Sequence, residues 1–103
     1  MYVSRLTFHT LPGKTHEVEE RLHNLAELVS QAGGIRPRVL RTHFASLGAA
    51  DVVFEQEVSD LASFEQEVVQ VTENSAFQDW THGVSTLLAE PPKREIYLIV
   101  NSQ

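Results

Sequence analysis

The sequence predicts an α+β domain: a four-stranded antiparallel sheet with helices on one face. Three observations lead there. The apolar period alternates between two and 3.6 in the order β-α-β-β-α-α-β. One side of the strand segments is apolar enough to meet the helical stripes. No segment is left over to cover the other side. At 103 residues the chain is read as a single domain, residues 1–103.

The first strand runs from Tyr2 to Leu11, with Leu6 and Phe8 on one side, and Pro12-Gly13 closes it. From about Thr15 the period becomes helical. Val18, Leu22, Leu25, Val29 and Ala32 make one apolar stripe, Thr15 is the expected N-cap, and Gly33-Gly34 supplies a left-handed stop. Arg38 to Leu47 and Asp51 to Val58 read as two strands joined through SLGAA. Ser59 or Asp60 caps a second helix carrying Leu61, Phe64, Val68 and Val71. Asn74 or Ser75 caps a third, carrying Phe77, Trp80, Val84 and Leu87. Pro91-Pro92 is expected to end that helix, since proline donates no amide hydrogen. Lys93 to Val100 is the last strand. Together these give the split βαβ, ferredoxin-like plan, with two short helices in one helix position.

Composition removes several function classes. Cysteine is absent, which excludes disulfides, zinc thiolates and a thiol nucleophile. Net charge is −6 and no basic run exceeds two residues, so no nucleic-acid footprint is visible. The first ten residues alternate like a strand and lack a signal peptide's apolar core. No apolar stretch approaches the ~20 residues of a membrane span, and a cytoplasmic location is expected. No G-x-S-x-G or phosphate-cradling loop is present.

The expected helix-facing set is Leu6, Phe8, Leu40, Phe44, Val52, Phe54, Ile96 and Leu98. The other face then carries Val3, Arg5, Thr7, His9, Leu11, Val39, Arg41, His43, Ala45, Leu47, Val53, Glu55, Glu57, Glu95, Tyr97 and Ile99. About half of that set is apolar, more than a monomer usually leaves in water. A second copy, sheet against sheet, is the economical cover. The charges between would pair: Arg41 opposite Glu55, or, slipped by two, Arg41 opposite Glu57 with His43 opposite Glu55. A slip of one would mix the faces.

The run VVFEQEVSDLASFEQEV, followed by NSAFQDW and REIYLIV, resembles the NIPSNAP-like branch of the dimeric α/β-barrel superfamily, which includes antibiotic biosynthesis monooxygenase-like proteins. The resemblance implies a homodimeric barrel with a cleft between sheet and helices. Its related branches include cofactor-free monooxygenases acting on aromatic or polyketide-like substrates, and haem-degrading enzymes. The first strand offers Arg5, Thr7 and His9 where haem-degrading members have an Asn. The helix FEQEVVQVTE lacks the His that monooxygenase-like members often carry there.

The candidate catalytic group is His43 as base, Glu55 (or Glu57) as its orienting carboxylate, and Arg41 to hold an enolate or phenolate oxygen. Arg5, His9, Glu57, Trp80 and Tyr97 are candidate substrate contacts. The competing reading of the same charges is structural pairing in a dimer interface, and Trp80 with Phe77 also reads as a core anchor. No motif sets the histidines and carboxylates at ligand distances, so no metal and no cofactor is expected. His16, Glu20, His23 and Glu27 form a solvated helix stripe. Two functions follow as expectations: a dimer that binds a small organic molecule, or a cofactor-free oxygenase or isomerase.

Overall fold

The computed structural model describes residues 1–100 and has the expected order of elements. These are β1 (Tyr2–Phe8), α1 (Thr15–Gln31), β2 (Ile35–Arg41), β3 (Val52–Val58), α2 (Leu61–Thr72), α3 (Ser75–Ser85) and β4 (Lys93–Leu98). The strands form one antiparallel sheet in the order β2-β3-β1-β4, the ferredoxin-like arrangement.

The core lies between one sheet face and the helices. Phe8, Val52 and Phe54 meet Val18, Leu22, Leu25 and Val29 of α1, Val71 of α2, and Trp80 and Val84 of α3. Phe8, Leu22, Val18 and Val52 are fully buried. Burial of such side chains contributes about 1.5–3 kcal/mol each. The α1 stripe is therefore buried along its length, as its spacing predicts.

Capping follows local chemistry. Asp60 accepts the Ser63 amide at 3.0 Å, and Asn74 accepts that of Ala76 at 2.8 Å. At the end of α1 the Gly33 amide donates to Ser30 and the Gly34 amide to Val29, with Gly33 at φ 94°. This is the paired closure that a left-handed glycine permits. Thr15 is not the cap it was expected to be. Lys14 holds that position without a side-chain hydrogen bond, and Thr15 is the first helical residue.

Three boundaries differ from expectation. Strand β1 stops at Phe8, and Thr10 forms an isolated bridge with Leu88. Helix α3 ends at Ser85, before Pro91-Pro92, which instead lead into β4. Strand β2 lies three residues earlier than expected at its start and stops at Arg41, leaving 42–51 as a connection. Thr42 closes that connection by donating from its amide to Asp51 at 3.0 Å.

The consequential difference is a bulge in β2. Ile35 pairs with Glu57 and the next pair is Arg38 with Glu55, so three residues of β2 span two of β3. Arg36 takes up the extra residue in a left-handed conformation (φ 48°), ahead of Pro37. The orientation of β2 is thereby opposite to the expected one. Val39 packs on the core and Arg41 shares its face, while Arg38 and Leu40 point to the uncovered face. Phe44, expected in the core, is 96% exposed in the 42–51 connection. Ile96 and Leu98 share the helix-side face but stay exposed.

Candidate functional site

The uncovered sheet face is built around Glu55, which is 4% exposed. Register places Arg5 of β1 and Arg38 of β2 on either side of it. Arg5 donates to Oε2 from Nε at 2.9 Å and from Nη2 at 2.6 Å. Arg38 donates to Oε1 from Nε at 2.8 Å and also from Nη2. Burial pushes the Glu55 carboxyl up, but hydrogen bonds from Arg38 and Arg5, with their charges, outweigh it and hold the carboxyl below its ordinary value. Arg5 also lies over the Tyr97 ring of β4, 5.2 Å from its centre. Tyr97 donates its hydroxyl to Glu95 at 2.6 Å, a bond that raises its pKa. Arg36 pairs with Glu57 at 3.4 Å.

This geometry separates the expected catalytic group. Arg41 lies on the helix side, donating from Nε and Nη2 to both oxygens of Glu19 at 2.6 and 2.7 Å. That hydrogen bond is the main reason the Glu19 carboxyl sits below its ordinary value. His43 is exposed beyond the end of β2, while both Glu55 oxygens are taken by arginines. The reason is the bulge: Arg38 rather than Arg41 stands opposite Glu55, a register three residues from the expected one, and any odd slip mixes the faces. Arg5 and Tyr97 do come together, and Glu57 joins them on the same face. His9 is elsewhere, beyond β1, with Nε2 3.1 Å from the Gly48 carbonyl oxygen and Nδ1 3.3 Å from Glu90. Arg38 was missed as a site residue. The signal for it was Pro37, whose restraint on its predecessor marks an irregular strand.

A second feature lies on the other side of the sheet. A partly open cavity of about 200 Å³ lies between the sheet and α1/α3, lined by Leu6, Phe8, Phe54, Phe77, Trp80 and Val84 among others. Its lining is apolar apart from Thr81 and Ser85. Phe77 and Trp80 stack at 5.5 Å with their planes 23° apart, and the Trp80 indole N–H donates to the Arg21 carbonyl. Trp80 is thus both a core anchor and a cavity wall. Among the described residues no group of three or more histidines and carboxylates is placed to hold a metal, and no helix is long and apolar enough to cross a membrane.

No family model matches the chain, and no curated protein is detectably similar to it. Solved structures share its fold. A NIPSNAP domain protein of uncharacterised activity from Burkholderia xenovorans superposes with a TM-score of 0.81 at 15% identity, over 100% of this chain and 98% of that one. A NIPSNAP-like domain protein from the same organism gives 0.72 at 13%, over 99% and 87%. An antibiotic biosynthesis monooxygenase gives 0.68 at 14%, over 98% and 100%. The chain therefore has the fold of the NIPSNAP and antibiotic biosynthesis monooxygenase-like proteins.

Proposed function

Starting from that shared fold, we propose that this protein binds a small apolar organic molecule in the cavity between sheet and helices, as a homodimer joined through its uncovered sheet faces. The largely apolar cavity beside the Phe77–Trp80 stack carries the reading. A dry apolar space loses contacts unless something fills it, and aromatic walls favour a flat guest. Oxygenase or isomerase chemistry would need a base at the bound molecule. The lining offers hydroxyls from Thr81 and Ser85 and neither imidazole nor carboxylate. Binding is the function these residues support.

The test uses the single tryptophan. Titration with toluene or p-cresol should shift the Trp80 indole N–H resonance saturably. Thr81→Phe, at an exposed position in the lining, should weaken that response at least about tenfold by occupying the space. No saturable shift in the unaltered chain would remove the reading.

A further inference from the structure

Between α2 and the outer strand β4 the helix layer leaves an open groove of about 460 Å³, distinct from the cavity described above and sharing none of its lining residues. This is within the ~300–1,000 Å³ range of small-molecule sites. Its walls are Leu61, Phe64, Val68 and Val69 of α2 and Ile96 of β4, with Arg94 and Glu65 as the charged members. Leu61, Val69 and Ile96 remain 41%, 52% and 44% exposed.

Arg94 is the informative residue. Its guanidinium lies 5.1 Å from the centre of the Phe64 ring, and Nη1 donates to Ser4 Oγ at 2.6 Å. No carboxylate among the described residues forms an ion pair with it within 4.0 Å. Glu67 acts on it only at longer range, since its Oε2 accepts the Gln56 amide at 2.8 Å. Burial holds the Arg94 guanidinium below its ordinary value. Every other arginine on this sheet has a carboxylate: Arg5 and Arg38 share Glu55, Arg36 has Glu57 and Arg41 has Glu19. A guanidinium has five N–H donors in a fork that matches a carboxylate. Arg94 keeps most of its donors free while losing part of its hydration, and apolar wall runs on from it.

We propose that this groove binds a medium-chain monocarboxylic acid, its carboxylate on Arg94 and its alkyl chain along Leu61, Val68, Val69 and Ile96. Charge complementarity fixes the head group, and the exposed aliphatic wall fixes the tail. Glu65 in the same lining repels a second negative group, which disfavours dicarboxylates.

The experiment titrates the full chain with sodium octanoate and, separately, with 1-octanol, following the methyl resonances of Leu61, Val69 and Ile96. Octanoate should shift them saturably and bind at least about tenfold more tightly than the alcohol, the discrimination expected of one charge-assisted contact. Arg94→Met should abolish that difference while leaving the Trp80 response to toluene intact. Val69→Glu, at an exposed position that tolerates charge, should weaken octanoate more than octanol. Equal affinities in the unaltered chain, no saturable shift, or octanoate shifts centred on Trp80 would each overturn the proposal. So would groove methyls that move with protein concentration alone, because a second copy would then be the occupant.

Discussion

A carboxylate held by two guanidiniums on its two oxygens is a fastener before it is a base, and Glu55 is such a residue. Glu55→Gln keeps the shape but turns an amide N–H₂ toward one arginine and leaves two positive charges with one neutral acceptor. The expected loss is about 2 kcal/mol in urea unfolding. That is less than the 3–5 typical of a fully buried broken pair, because both arginines are partly exposed and solvent screens them. The sign of the pH effect follows from the depressed carboxyl. Its stabilisation is present above the ordinary glutamate value of about 4.3 and is lost as pH falls through the lower folded-state value. The substitution should flatten the acid limb of the stability profile below pH ~4.3. An unchanged limb would show that other carboxylates set it. At this scale the sequence was only partly legible. Glu55 as the centre of a charged sheet face could be read from alternation, and so could Arg5 and Tyr97 near it. Arg38 could not be read from alternation, because choosing between Arg38 and Arg41 requires knowing on which side each residue emerges, and Pro37 marks only that the strand is irregular.

Among the elements, the end of α1 is fixed by more than glycine's backbone freedom. A Cβ on Gly34 would stand 2.2 Å from Val29 Cγ1 and 2.9 Å from the Val29 carbonyl oxygen. Part of that obstacle is backbone and cannot swing aside. Gly34→Ala should therefore cost about 1–3 kcal/mol, as overpacking does, and lower the thermal midpoint by several degrees. A neutral Gly34→Ala would mean that α1 and the start of β2 can part without loss. Helices proved the most legible elements, because a 3.6-residue stripe persists over many turns and its caps are local. Strand β2 was the least legible. Period-two alternation marks a strand but does not say which set of side chains faces the core, and a bulge reverses the answer partway along. The exposure of Phe44 follows from the same miscount, since β2 ends at Arg41 and never reaches it.

For the whole molecule, one face of the sheet carries helices and the other carries Val3, Ile35, Leu40, Val53 and Tyr97 around paired charges. Internal pairing removes much of the electrostatic cost of covering such a face, since few charges there need water. The proposed homodimer should sediment at twice the chain mass of 11.6 kDa. Leu40→Asp, at an exposed position on that face, should return the mass to that of one chain without unfolding it. A folded single chain at micromolar concentration before any substitution would dismiss the dimer. The expectation of a cover came from composition, and two of the residues thought to require it, Val39 and Arg41, belong to the opposite side.

The extra residue at Arg36-Pro37 has a last implication for how such proteins diverge. Straightening the strand there without removing a residue would act on β2 as a frame change acts on codons. Downstream side chains would trade sides, bringing Arg41 to the uncovered face and sending Arg38 toward α1. Both surfaces would be rewritten with almost no alteration in composition. Relatives that keep the residue count here but lack the bulge should therefore be expected to present different side chains on this face, even where their other elements superpose.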